Sequence, residues 1–552
     1  MRLVTILFVL ASCVSSRPAT LPSVRFANVP VVQAVNDRRD VKKKPKELEF
    51  VRFLYHFDGS FHRLLTRTME LPAPHRALGV NALDEVPDST WFTNRINHRN
   101  VTPDEIRNAP PGGPGTPQDY KPYTVLSTKV GTSVGFIVRD TRGEKFMLKF
   151  DRPGYADAET GIHIIVGRLL WAAGYNVTHD YIVTLRREDL VLAEDAAIKD
   201  NWGHKRPLDR AAFEERFARI DTRPDGTIRA MASHWLVGKP VGPHPQEGIR
   251  ADDPNDKIPH ERRRDLRGAF SIWSWLDHVD IQGTQFLDVY VEDPGDPRQH
   301  YIKHYLIDFG KSLGFLGTSQ TDRRRGIEYY YDWGAMLESL VTLGFNDRRW
   351  GNRRTNGPHG WEVFDVATYD PGKWKPSSQV YTPLNDSDKY DKFWGAKIVA
   401  RFTREQIEAA VDAAKISRPE VAKFLVDTLV ARQRKTMKYW FDRVNPLDEF
   451  KASADRLCFA DLSIRHSFAP AQSTRYTLTF YDYNARLLGT KYAIKADAHG
   501  ENCAPLSLAP NHDGYTIVRV DTARPGFEGT TYVHVARDKW NHEPNVIGIW
   551  RP

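Results

Sequence analysis

The stretch Tyr123–Leu185 constrains the fold most. Apolar residues alternate with others through Thr124–Leu126, Gly135–Val138 and Phe146–Phe150. Gly131–Gly135 separates the first two runs, and Asp140-Thr141-Arg142-Gly143 the last two. That pattern predicts a three-strand meander. Ala158, Ile162, Ile165, Leu169 and Ala172 then recur at helical spacing, and Gly174 stops the helix. Tyr181–Leu185 is apolar and β-branched and reads as a further strand. The order is strand, strand, strand, helix, strand, so the chain belongs to the α+β class.

Downstream, Leu266, Phe270, Trp273 and Leu276 mark a helix that runs directly into His278. Phe286–Val291 and Tyr301–Ile307 read as a strand pair around a Pro- and Gly-containing turn. Thr403–Ile416 carries a Thr403…Gln406 capping box, and Ser417–Trp440 is a longer helix with Pro419 near its first turn. Beyond Pro446 the period changes to two, between Gly, Asn and Asp turns. That predicts a small all-β sandwich over 449–552. Its Trp and Tyr residues read as core aromatics, and it carries no catalytic signature.

The N-terminus reads as an export signal. Arg2 precedes the apolar run Leu3–Leu10, which is too short to span a bilayer. Leu10-Ala11-Ser12-Cys13 resembles a bacterial lipobox, in which the cysteine becomes the lipid-bearing first residue. The resemblance implies a signal peptide over 1–12 and a chain anchored by Cys13 to the cell envelope, outer membrane or periplasm. Residues 13–45 read as a tether. The only other cysteines, Cys458 and Cys503, suggest one disulfide in an exported chain. Net charge is +8, with arginines clustered at 262–264, 323–325 and 348–354. These read as solvated surface, and no nucleic-acid-binding pattern accompanies them. With 41% hydrophobic residues the 552-residue chain has ample material for a core.

The candidate chemistry lies in a few short motifs. Phosphoryl transfer needs positioning and charge cancellation rather than covalent help. The turn holding Gly131 and Gly135 could lie over phosphates. Lys149, in an apolar strand, could reach them; its structural alternative is an edge-strand charge. Glu159, in the first turn of the next helix, could hold Lys149, with Asp157 the competing carboxylate; a first-turn Glu also serves the helix dipole. In His278-Val279-Asp280, Asp280 could orient an attacking hydroxyl, and Gln285 lies five residues on. Asp308-Phe309-Gly310 closes a strand. His163 and His304 read as structural.

In this order the motifs resemble the protein-kinase-like superfamily, over Tyr123–Gly310 by motif and to Trp440 by helix content. The resemblance implies a bilobal kinase-like domain over 46–448. Its N-lobe is an antiparallel sheet plus helix to about 190, its insertion spans about 186–260, and its C-lobe is largely helical from about 261. It implies ATP with Mg²⁺ or Mn²⁺. Asp280 would be catalytic, Gly131, Gly135, Lys149 and Glu159 cofactor-binding, and Gln285 and Asp308 metal-binding. Val replaces Arg in the His-Arg-Asp motif, Gln285 replaces Asn, the glycine turn is minimal, and no Ala-Pro-Glu follows Gly310. Atypical branches, HipA-type, CotH-type or lipid-kinase-like, fit better than a eukaryotic protein kinase. The expected function is a membrane-anchored phosphotransferase acting on a protein, lipid or envelope substrate. The alternative is a pseudokinase, scaffold or envelope-binding lipoprotein.

Overall fold

The computed structural model describes residues 21–48, 55, 57–63, 65–66, 76–129, 133–199, 204–317 and 321–552. The chain divides into two units, 31–446 and a second made of 1–30 with 447–552.

In the first unit, β1 (Tyr123–Thr128), β2 (Gly135–Arg139) and β3 (Lys145–Phe150) form the expected antiparallel meander. Helix α1 (Ala158–Ala173) follows, then β4 (Asp180–Leu185). The sheet has seven strands in the order β4-β7-β3-β2-β1-β5-β6, with β5 (Leu190–Lys199), β6 (Lys205–Pro207) and β7 (Ile228–His234). Strand β7 sits between β3 and β4. Part of the stretch assigned by sequence to an insertion therefore completes the sheet. Its core joins Phe136, Phe146, Leu148 and Val183 with Phe213 of α2 (Arg210–Phe217).

Every residue of α1 is buried, so this helix is covered all round rather than on one stripe. Gly174 ends it at φ 131°, and a Cβ there would lie 2.3 Å from the Phe92 ring. Both facts demand glycine.

The rest of the unit combines helices with irregular segments and a hairpin. Its main helices are α3 (Arg264–Trp275), α4 (Trp333–Val341), α5 (Lys389–Ala400), α6 (Arg404–Ala413) and α7 (Pro419–Phe441). The Thr403–Gln406 capping box and Pro419 at the start of α7 are both present. A hairpin of β9 (Phe286–Asp293) and β10 (Asp296–Leu306), with the short β8 (Lys239–Pro240) alongside β9, carries the strand pair read from sequence. Residues 31–45, within the stretch read as a tether, make specific contacts of their own: Asp37 accepts from the Thr90 amide and hydroxyl, and Val41 O accepts from Tyr290.

The arginine clusters divide. Arg263, Arg264, Arg325 and Arg353 are buried in ion pairs with Asp265, Asp391, Asp277 and Asp365. Arg323, Arg324, Arg349 and Arg354 remain exposed. The solvated-surface reading thus fails for the first four, because a matching aspartate lies opposite each in the fold.

The second unit holds a three-stranded sheet, β11 (Leu447–Ala452), β12 (Arg456–Asp461) and β15 (Glu501–Pro505). A five-stranded sheet completes it, in the order β14 (Leu487–Lys495), β13 (Arg475–Asp482), β16 (Thr516–Arg524), β17 (Phe527–Arg537), β18 (Pro544–Trp550). Cys458 and Cys503 form a disulfide between β12 and β15. Phe26, from the start of the chain, packs on His534 of β17 in this unit.

Candidate functional site

Strand β3 delivers Lys149 into a fully buried position, opposite Gly135 on β2. Its Nζ donates to Asp308 Oδ1 at 2.5 Å and to His163 Nε2 at 2.8 Å. His163 lies on α1, one turn beyond Glu159, and its Nε2 is 3.9 Å from Glu159 Oε1. Among the described residues there is no direct Lys149–Glu159 ion pair. His163 occupies the space between them, and the expected partnership becomes Lys149–His163–Glu159. Asp157 is committed elsewhere: it accepts from the Ser417 amide at 2.8 Å and lies 3.3 Å from Arg229.

The electrostatics follow from this packing. Burial and the neighbouring Lys149 hold His163 well below the usual imidazole range, so it is neutral and accepts the Lys149 proton donor. Burial pushes the Asp308 carboxyl up, but Lys149 and Lys129 outweigh it and hold the group well below the carboxylate range. Asp308 therefore stays ionised, and its side chain keeps 39% exposure. Its backbone is left-handed, φ 63°. A non-glycine residue held there costs of order 1–3 kcal/mol, and such strain concentrates at working sites.

Asp280 follows α3 by five residues. It accepts from Gln285 Nε2 at 3.3 Å and from Gln282 Nε2 at 3.2 Å, and Lys311 Nζ lies 2.8 Å from its Oδ2. The Gln285 carbonyl oxygen accepts from Thr284. The Asp308–Ser312 turn binds the two halves together. The Val279 amide donates to Lys311 O, His278 Nδ1 pairs with Ser312 Oγ at 2.9 Å, and Ser312 Oγ donates to Phe309 O. Phe309 packs between His163 and His278. Burial pushes His278 down to about 4, so it too is neutral.

The structure thus joins Lys149, Glu159, Asp280, Gln285 and Asp308 through one connected network. Gly135 lies at its edge, with Lys129 folded over it: a Cβ on Gly135 would meet Lys129 Cδ at 3.1 Å. Gly131 and Cys13 lie outside the described residues. Sequence reasoning missed three participants. His163 was read as structural, Lys311 was not singled out although it directly follows Asp308-Phe309-Gly310, and Lys129 directly follows β1 without any motif. A Lys next to a metal-type aspartate turn was the one available signal.

Gly310 must remain small. A Cβ there would lie 2.8 Å from Glu159 Oε1 and 3.0 Å from His163 Nε2. That contact explains why Gly follows Asp308-Phe309 here: the turn presses its backbone against α1.

No family model and no curated protein matches the chain. Among solved structures, the chain is similar to a Rio2 kinase–ADP/Mg²⁺–phosphoaspartate complex from Chaetomium thermophilum, at 15% identity and TM-score 0.19, over 53% of this chain and 73% of that one. It is also similar to a Golgi casein kinase with Mn/ADP bound, at 9% identity and TM-score 0.21, over 56% and 73% respectively. Both likenesses are slight, and no residue's role follows from them.

Proposed function

We propose that this site binds a nucleoside triphosphate with a divalent metal and passes the terminal phosphoryl group to a hydroxyl of a protein, lipid or envelope substrate. The observation that carries the reading is the joining of Lys149, Asp308, Lys311, Asp280 and Gln285, from separate parts of the chain, into one network around the Asp308–Ser312 turn. A structural ion pair needs one cation and one anion. Two lysine–aspartate pairs spaced along one turn, with a third lysine over the adjacent strand turn, suit a polyanion with a metal.

The donor set fits Mg²⁺ or Mn²⁺ brought in with its nucleotide. Asp308 supplies an ionised carboxylate and Gln285 a carboxamide, both hard oxygen donors. Among the described residues no group of three or more His, Cys, Asp or Glu could hold a metal alone. Phosphate oxygens and water would complete the shell, as is usual for Mg²⁺. When bound, the metal neutralises phosphate charge.

The chain's own residues do the rest. Lys149 and Lys129 hold the phosphate chain, and neutral His163 and Glu159 hold Lys149 in place. Asp280 orients the acceptor hydroxyl and takes its proton. The acceptor oxygen forms the new bond to phosphorus as the bond to the nucleoside diphosphate breaks, and the diphosphate leaves with that electron pair. Lys311, beside Asp280, offsets charge on the transferring group.

The test is a thermal shift with ATP plus Mg²⁺ or Mn²⁺, beside Asp308→Ala. At about a hundred times its dissociation constant, a ligand stabilises by roughly 2.7 kcal/mol. Metal-dependent stabilisation lost in the variant supports the site, and no shift with any nucleotide refutes it. Binding without transfer to any acceptor would leave a nucleotide-responsive scaffold. The same proposal places the chain on the bacterial envelope through a lipid on Cys13. Incorporation of labelled palmitate, lost in Cys13→Ser, checks that part.

A further inference from the structure

Helix α4 is built inside out. Trp333, Met336, Leu337, Leu340 and Val341 recur at the spacing of a core-facing stripe. Yet none of its residues is buried. Exposure is 50% at Met336, 61% at Leu337, 72% at Leu340 and 75% at Val341, and it rises to 90% at Phe345 just beyond the helix. The partly covered positions are the small ones, Ala335, Ser339 and Thr342. The helix is nonetheless fixed. Asp332 caps it at the Ala335 amide and pairs with Lys375, Trp333 Nε1 donates to Ser60 O at 2.9 Å, and Arg348 donates to Ser339 Oγ at 2.5 Å.

A monomeric protein rarely leaves so many large apolar side chains together in water. We infer that this face docks on an anionic lipid bilayer, with the apolar ridge entering the headgroup–acyl boundary. Three observations select a bilayer over a protein groove. The exposed side chains form a ridge that becomes more exposed toward Phe345, and a fluid bilayer needs no complementary groove. Tyr330, Tyr331 and Trp333 stand exposed at its base, the residue types that favour the headgroup level. Exposed Arg323, Arg324, Arg349 and Arg354 lie in the same stretch, against the exposed acids Glu338 and Asp347, and basic residues beside an apolar face favour anionic lipid. Among the described residues no helix is long and apolar enough to cross a membrane, so the contact is interfacial. The inference does not depend on phosphotransfer.

The experiment is co-sedimentation of the chain from Val14 onward, which can carry no lipid on Cys13, with vesicles of phosphatidylethanolamine and phosphatidylglycerol. The partner variant is Leu337→Glu/Leu340→Glu/Phe345→Glu, whose exposed positions leave folding intact, as an unchanged melting curve would verify. The expected result is vesicle binding by the wild type, weakened at least tenfold in the variant and reduced when phosphatidylcholine replaces the anionic lipid. Equal binding by both proteins, or none by the wild type, overturns the inference. A concentration-dependent dimer abolished by the same variant also overturns it, by assigning the ridge to a second copy.

Discussion

Arg325 offers the sharpest quantitative test of how the site is held. It is buried, donates from Nε to Asp277 Oδ2 at 2.8 Å and from Nη2 to Asp277 O at 2.7 Å, and reaches Phe315 O. Asp277 is itself only 2% exposed and has left-handed backbone, φ 49°, directly before His278. Arg325→Met would strip the aspartate of its main partner while keeping similar bulk. Breaking a buried pair from one side costs about 3–5 kcal/mol. Trp374 Nε1 still donates to Asp277 at 2.9 Å, and Arg432 lies 3.8 Å away. The loss should therefore fall near the lower end, about 3 kcal/mol. Burial raises the Asp277 carboxyl, but Arg325, Arg432 and Arg353 outweigh it and lower it overall. The sign follows: the contribution is present above the ordinary aspartate pKa and fades as pH falls through the depressed one. Urea unfolding followed by tryptophan fluorescence suits the purpose. Of 14 tryptophans only Trp540 and Trp550 lie beyond 446, so the signal reports the first unit. A double-mutant cycle with Asp277→Asn isolates the pair. A loss under about 1 kcal/mol, or the same loss in the Asp277→Asn background, would refute the reasoning.

Other predictions are read more simply. Lys149→Met should lower transfer by about 10²–10³, the range for losing one charge-stabilising donor, in a steady-state assay. Asp280→Asn should cost about 10²–10⁴ in kcat with nucleotide-dependent stabilisation intact, and simultaneous loss of binding would contradict its role. His278 is neutral in the fold at about 4 against the usual 6.5, so stability is full above 6.5 and falls with pH. On the order of 2 kcal/mol should be gone at pH 5 from this ring, and His278→Asn should flatten that part of the pH profile. Cys458 and Cys503 are 45 residues apart, so the chain-entropy relation gives about 4 kcal/mol for their bond. Melting the second unit with and without reductant checks it, and an unchanged midpoint would count against it.

Much of this was legible in the chain itself, for physical reasons. The β1–β3 meander, α1, the β9–β10 hairpin and the closing β-rich unit announce themselves by period, because one face of each strand or helix must be apolar. Lys149 and Asp308 stood out because a charge beside a run of apolar side chains needs a partner. What escaped depends on contacts distant in sequence. His163 looks like any histidine on a buried helix until β3 brings Lys149 to 2.8 Å from it. Strand β7 lies behind a long excursion, and nothing local says that it returns between β3 and β4. Arg325 and Arg353 resemble surface charge until Asp277 and Asp365 are placed against them.

The packing of Phe26 on His534 bears on biosynthesis. Phe26 waits for β17, which is made only after the whole first unit, before it is covered. The whole 31–446 unit emerges in between. The second unit is therefore discontinuous, a host interrupted by a guest of several hundred residues, and it cannot be completed until the guest has been made. A stop codon before β17 would leave Leu21 and Phe26 without most of their partners while sparing the guest. Nonsense variants between 447 and β17 should thus make chains that retain a folded first unit but expose Leu21 and Phe26, fit substrates for quality-control proteolysis.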